Sequence, residues 1–285
     1  QPGTVDGYIG HIGVRRLGGD LKRLTFIFQI LAVVLLLSAV GCQSEAERYF
    51  NQAVELHEAT LYSEAIEEYT KAIQLDGTFV KAYVNRGADY YNLGQYQRAI
   101  EDYDKAIQLD PNDALAYYNR GNAYYNLGQY HRAIQDYDKA IHLDPDDTDA
   151  YYYRGNAYYN RMQYQRAFQD YDKAIQLDPD FAKACTNRGL TYQKWGEYQK
   201  AMDDYDKAIQ VNPDFALAYT NRGAAYAQLG QYQGAIADFD KAIQLDPDAS
   251  HAYYGRGLAY HNLGQTAKAD AYKAKSCSLE RKLCP

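Results

Sequence analysis

Asparagine recurs in this chain at a fixed interval. Asn51, Asn85, Asn119, Asn187 and Asn221 are separated by 34 residues or by twice that number. A neutral amide carries two N–H donors and a carbonyl acceptor, so it matches a peptide unit whatever the neighbouring side chains. Asn122 and Asn156 keep the same interval, as do Tyr118 with Tyr152 and Tyr254, and Tyr91 with Tyr125 and Tyr159. Such a row predicts a surface that hydrogen-bonds a polypeptide. It would also arise if the asparagines were solvated and had been copied along with the sequence around them.

Other chemistry is missing from the pattern. The six histidines are scattered singly, with no pair at the spacing of a metal site. The repeated Asp-x-Asp-Lys segments lack the central glycine and terminal Glu of a calcium loop. Net charge is −7, and beyond residue 41 there are 26 basic and 35 acidic residues, a balance of −9. Nucleic-acid binding needs a basic stripe, and none is present. The sequence therefore predicts no catalysis, no metal, no cofactor and no small-molecule substrate. Cys185 reads as a small packing residue. Cys277 and Cys284 would stand about 10 Å apart on a continuous helix, so a bridge between them requires the tail to unwind.

The elements that must position the amides are set by the same 34-residue period. There are 32 tyrosines against eight phenylalanines and one tryptophan, the bias of a short sequence copied many times. Seven units run 46–79, 80–113, 114–147, 148–181, 182–215, 216–249 and 250–283, and the last reads as shortened by a residue or two near Ala271 and Tyr272. Each unit reads as two helices. In the third, Tyr117, Gly121 and Tyr124 form one stripe at helical spacing, and Tyr130, Ala133, Ile134, Tyr137, Ala140 and Ile141 form another. Gly128 separates them by tolerating a left-handed backbone. Asp144-Pro145 closes the second, with Pro145 suited to the first turn of the next helix.

A small residue at the eighth place, an aromatic at the eleventh, alanines at the twentieth and twenty-seventh and proline at the thirty-second together resemble the tetratricopeptide repeat. Gly87, Gly121, Gly155, Gly189, Gly223 and Gly257 hold the eighth place, and Ala65, Ala99, Ala133, Ala167, Ala201, Ala235 and Ala269 the twentieth. The resemblance implies an all-α fold, a right-handed α-solenoid of seven antiparallel helix pairs with no linker between units. Tyr90, Tyr124, Tyr158, Tyr192 and Tyr226 are expected to fill the space around the small residues, with polar caps at both ends.

In the family, first helices line the concave face and second helices lie outside. That places the asparagine row in a groove, flanked by Tyr118, Tyr152, Tyr254, Tyr91, Tyr125 and Tyr159. It is similar to the asparagine array of O-linked N-acetylglucosamine transferases, which holds an extended peptide by its backbone. Tyr153 and Gly255 interrupt the row. The carboxylate clamp of chaperone-binding members needs a lysine at the fifth place, where this chain has Phe50, Val84, Tyr118, Tyr152, Thr186, Thr220 and Tyr254. Arg86, Arg120, Arg154, Arg188, Arg222 and Arg256 replace the usual leucine and are expected to pair with nearby aspartates. The outer helices carry Asp102, Asp104, Lys105 and their copies, read as a solvated face.

The amino end is a separate segment. The chain opens on glutamine, which predicts a natural start further upstream. Arg15, Arg16, Lys22 and Arg23 precede an uncharged run from Leu24 to Val40, the order of a secretory signal. Leu37-Ser38-Ala39-Val40-Gly41-Cys42 resembles the lipobox of bacterial lipoproteins, in which the cysteine receives a diacylglyceryl group, although Ala39 stands where leucine is usual. Residues 1–41 then form the signal, and 42–45 a short linker with Cys42 as lipid anchor. Ser44 and Glu47 form a capping box for the first helix. An uncleaved signal anchor is the alternative, and either topology puts the repeats outside the cytoplasm. The resulting expectation is a membrane-tethered, extracytoplasmic scaffold that binds a protein or peptide partner. A chaperone-like receptor for extended segments is the alternative.

Overall fold

The structure, a computed structural model, describes residues 45–280. Cys42 with its upstream run, Ser44 and Cys284 lie outside the described residues. The described chain is helical, without a strand among the described residues, and divides after Asp89 into two units. Unit 1 holds α1 (residues 45–58), α2 (Tyr62–Leu75) and most of α3 (Val80–Asn92). Unit 2 begins at Tyr90. It contains α4 (Tyr96–Leu109), α5 (Ala114–Asn126), α6 (Tyr130–Leu143), α7 (Thr148–Asn160), α8 (Tyr164–Leu177) and α9 (Ala182–Lys194). It continues through α10 (Tyr198–Val211), α11 (Ala216–Gln228), α12 (Tyr232–Leu245), α13 (Ser250–Asn262) and α14 (Thr266–Leu279).

Local chemistry sets these boundaries. Gly128 has φ of 71°, the left-handed value that glycine adopts without a Cβ clash. Its N–H donates to the Tyr125 carbonyl and that of Gln129 to the Tyr124 carbonyl, both at 2.9 Å. These bonds satisfy orphan acceptors at the end of α5. Met162 takes the same conformation, at φ 60°, in place of a glycine. The second helices end at an extended aspartate such as Asp144, whose N–H donates to the Ala140 carbonyl at 2.8 Å. Pro145 lies in the turn, not in the first turn of α7 as the sequence suggested; α7 begins three residues later with Asp147 capping the Ala150 N–H at 3.0 Å.

Packing corrects the expected division of labour among the tyrosines. Tyr69, Tyr103, Tyr137, Tyr171 and Tyr205, all on second helices, are the fully buried rings, with Phe239 in the equivalent place. Tyr124, Tyr158, Tyr192 and Tyr226 on first helices are only partly buried. The small residue at the eighth place exists for the buried ring. A Cβ built on Gly121 would lie 2.7 Å from Tyr137 Cε1, and one on Gly155 the same distance from Tyr171 Cε1. Burying such a side chain stabilises by about 1.5–3 kcal/mol, so unit 2 gains a core one ring at a time.

The outer helices are not uniformly solvated. Asp102, Asp136, Asp170, Asp204 and Asp238 are buried, whereas Asp104 and Asp138 are exposed. Arg120 explains the difference. Its Nε and Nη2 donate to both carboxylate oxygens of Asp136 at 2.8 and 2.7 Å, and Nη1 reaches back one repeat to Asp104 at 2.5 Å. Arg154 repeats the arrangement with Asp170 and Asp138, Arg188 with Asp204 and Asp172, and Arg222 with Asp238 and Asp206. Each planar guanidinium thus ties two consecutive repeats. Burial pushes the Asp136, Asp170 and Asp204 carboxyls up while the guanidinium pulls them back.

The last repeat is intact in length, contrary to the expected deletion: α14 starts and ends 34 residues after α12. The apparent shift is a change of residues, with Tyr272 in the place of Asp238 and Lys273 in that of Phe239. Arg256 follows the change. Its guanidinium lies 3.7 Å from the centre of the Tyr272 ring and pairs with Asp240 of the preceding repeat. The helix ends at Leu279, with Glu280 in an extended conformation.

Gly155→Ala should lower stability by about 1–3 kcal/mol, because the new methyl overpacks Tyr171. Gly128→Ala, with open space around it, should lower stability by only about 1 kcal/mol through added backbone strain. Thermal unfolding followed by circular dichroism compares the two, and equal losses would contradict the packing account.

Candidate functional site

In unit 2 the first helices leave a recess on one side. A cleft of about 330 Å³ is lined by Tyr125 from α5, by Tyr152, Asn156, Tyr159 and Asn160 from α7, and by Tyr171, Asn187, Leu190 and Leu217 from α8, α9 and α11. None of these carries a charge. Asparagine at the sixth, ninth and thirteenth places of a first helix stands on one face, since three and four residues each make about one turn.

The amides are held by tyrosine hydroxyls. Tyr137 donates to Asn122 Oδ1 at 2.7 Å and Tyr171 to Asn156 Oδ1 at 2.9 Å. Asn187 Nδ2 donates to Asn156 Oδ1 at 2.7 Å and to Tyr152 Oη at 3.3 Å. Asn160 Nδ2 donates to Tyr125 Oη at 2.8 Å, and Asn126 Nδ2 to Tyr91 Oη at 2.7 Å. Desolvation raises the Tyr118, Tyr125, Tyr137, Tyr152, Tyr159 and Tyr171 hydroxyls above the ordinary phenol value, so these groups stay neutral donors.

Of the sequence-derived set, the cleft gathers Tyr125, Tyr152, Asn156, Tyr159 and Asn187. Asn119, Asn122, Tyr91, Tyr118 and Tyr254 lie on α3, α5 and α13 outside it. Asn221 lines a second cleft of about 420 Å³ with Leu217, Thr220 and Asp248. Its Nδ2 is buried without a hydrogen-bond partner. Thr186 and Leu190 occupy the places from which Tyr152 and Asn156 serve Asn187. The interruptions have packing reasons too. Tyr153 stacks on Tyr137 at 6.5 Å, and a Cβ on Gly255 would lie 2.5 Å from Phe239 Cζ. Asn160, Leu190 and Leu217 were missed, although Asn92, Asn126, Asn160 and Asn262 recur at the thirteenth place.

Unit 1 is described by itself. Asn51 on α1 is exposed, and Asn85 Nδ2 donates to Tyr69 Oη at 3.3 Å. Burial pushes that phenol up to about 12. His57, which reads from sequence as a lone histidine, is paired: its Nδ1 lies 2.5 Å from Asp89 Oδ1. The imidazole side chain is 38% exposed while Asp89 is fully buried. Burial pushes the Asp89 carboxyl up, and the imidazole pulls part of that back.

Stacked hairpins with small residues at their crossings and an uncharged recess along the first helices define a helical-repeat protein. Tetratricopeptide-repeat models match residues 61–94, 87–128 and 223–264, then 114–147, 148–181 and 182–215, then 204–237 and 250–283. These matches cover 61–283 without a gap, and the chain belongs to the tetratricopeptide-repeat family. No curated protein matches it. Among solved structures, MamA is 32% identical over 56% of this chain and 94% of its own, with a TM-score of 0.53. YrrB, a TPR protein with an unusual peptide-binding site, is 28% identical over 65% of this chain and 95% of its own, with a TM-score of 0.54. A tetratricopeptide repeat protein from Parabacteroides merdae shares the fold, with 21% identity over 83% of this chain and 94% of its own and a TM-score of 0.69.

His57→Ala should destabilise the protein by about 3 kcal/mol at neutral pH, because it strands a buried carboxylate. Without the imidazole, the folded Asp89 carboxyl holds its proton more tightly than the unfolded one. The stability lost at neutral pH therefore returns as pH falls through the folded value. Urea unfolding across pH checks this. The double variant with Asp89→Ala should be more stable at neutral pH than His57→Ala alone; no recovery would refute the pairing.

Proposed function

We propose that this protein is a protein-interaction module that holds an extended polypeptide segment in the cleft of unit 2. The observation that carries the reading is the lining itself: four tyrosines, three asparagines and two leucines, with no charge. Aromatic walls give apolar contact at low entropy, and amides match a backbone in either direction. Leu217, 48% exposed at the edge of both clefts, supplies an apolar contact for an incoming side chain. The peptide-binding site of YrrB, a similar protein, supports the same reading.

Asn119, Asn122 and Asn221, with Tyr91, Tyr118 and Tyr254, extend the proposal along the first helices of unit 2, and Asn51 and Asn85 carry the same proposal in unit 1 by itself. Asn156 and Asn187 serve buried hydroxyls, so variants there would confound stability with binding. Leu217→Lys avoids that difficulty. Peptides selected from a random library should lose at least about tenfold in affinity against Leu217→Lys. Gln135→Lys, on the exposed side of α6, should leave affinity unchanged. Equal losses from both, or peptides indifferent to Leu217, would sink the groove reading.

We further propose that the module is tethered outside the cytoplasm through Cys42. The support is the order of basic flank, uncharged run, small residues and cysteine in residues 15–42. Cells fed labelled palmitate should label the intact protein and not Cys42→Ala. Absence of label from both would leave the Leu24–Val40 run as an uncleaved anchor.

A further inference from the structure

The hairpins of unit 2 place every turn from a first helix to its own second helix on one edge, and every loop to the next hairpin on the opposite edge. The two edges carry opposite charge. On the first lie Arg98, His131, Arg132, Arg161, Arg166, Lys194, Lys200 and Lys268, all exposed, against Glu197. On the second lie Asp110, Asp144, Asp146, Asp149, Asp178, Asp180, Asp214, Asp246 and Asp248, also exposed, against Lys183, His142 and His251. Cations at the start of a second helix oppose its dipole, so helix stability does not ask for them.

Each edge also carries one apolar feature, at the same level of the stack. On the basic edge Met162 is 76% exposed in a left-handed backbone, where other repeats of unit 2 have glycine. A non-glycine residue there costs about 1–2 kcal/mol. Beside it Trp195, 39% exposed, is braced against Phe168 at 5.4 Å and Tyr192 at 6.1 Å. Met162, Arg166 and Trp195 line one shallow depression. On the acidic edge Phe181, Val211 and Phe215 line a cleft of about 270 Å³ together with Asp180 and Lys183. Asp180 is held there by Lys207 at 3.1 Å.

We propose that unit 2 associates laterally with a second copy of this chain, the basic edge of one against the acidic edge of the next. Met162 of one copy enters the Phe181–Val211–Phe215 cleft of its neighbour, and Arg161, Arg166 and Lys194 face Asp178, Asp180 and Asp214. A second copy fits better than any other occupant, because both edges repeat at one pitch. Successive charges of one copy therefore meet those of the next in register. An anionic membrane surface would engage the cations but leaves Met162 and the acidic cleft unused. Individual exposed pairs contribute little; the seated methionine and the matched series make the contact. The contact joins two different patches, so it is heterologous and repeats in an open row.

Sedimentation velocity on the full chain in a non-ionic detergent tests the proposal. Association beyond the monomer should grow with protein concentration at low salt. It should fade near 1 M salt, where screening acts within about 3 Å. Met162→Gly, which restores the repeat residue and relieves backbone strain, should weaken association about tenfold. Arg161→Asp with Arg166→Asp, and separately Asp180→Lys with Asp214→Lys, should each stay monomeric alone and associate when mixed. A monomer at every salt concentration overturns the proposal, even if the protein sediments with anionic vesicles. So does association that ignores Met162→Gly and both charge reversals.

Discussion

A tyrosine ring laid on a glycine backbone carries its hydroxyl into the interior, and that hydroxyl must find a partner. Much of unit 2 follows from this requirement. The ring fixes how closely the two helices of a hairpin approach, and its oxygen ends beneath the recess of the first helices. Asn122 meets Tyr137, Asn156 meets Tyr171, and Gln193 meets Tyr205 at 2.6 Å, the last because Leu190 holds the nearer place. Phe239 supplies the control within the chain. It has no hydroxyl, and the two places that would serve one hold Ala224 and Gly255. The asparagine row is thus a product of the core before it is a recognition surface, and the cleft is polar because the interior beneath it is.

A second constraint runs along the stack. Arg120, Arg154, Arg188 and Arg222 are buried enough that an unpaired guanidinium would be costly, and each is satisfied by carboxylates from two repeats. Deleting either partner strands a charge, so consecutive repeats within unit 2 depend on one another more than apolar packing alone requires. Arg256 shows how far the rule bends: with Tyr272 replacing the carboxylate, the ring face takes one side of the guanidinium and Nε is left without a hydrogen bond.

The hairpins were legible because glycine, alanine and proline act through backbone and volume, properties that each residue carries wherever it sits. The 34-residue period located every described second helix from Tyr62 to Thr266. What could not be read was which side of a helix met which neighbour. Asp136 and Asp138 look alike in sequence, yet the first is buried under Arg120 and the second is exposed. His57 and Asp89 are 32 residues apart and off the repeat pattern, so no spacing rule pairs them. In the cleft, the sixth and ninth places were recognised as a row, while Asn160 and Leu217 needed the curvature of the first helices to join it.

Departures from the repeat fall into two kinds, and the distinction separates packing from function. Phe239 with Gly255, and Arg256 with Tyr272, are changes answered nearby, so they report only on the core. Met162 is different: it keeps the left-handed backbone of the glycine it replaces and exposes its side chain, beside Arg161 and Trp195, which stand where other repeats of unit 2 have leucine. Leu217 is not a departure of this kind, because Leu115 holds the same place three repeats earlier and is likewise exposed. Met162 at an edge and Leu217 in the recess are exposed apolar groups on different sides of unit 2, and the two proposed contacts rest on them separately.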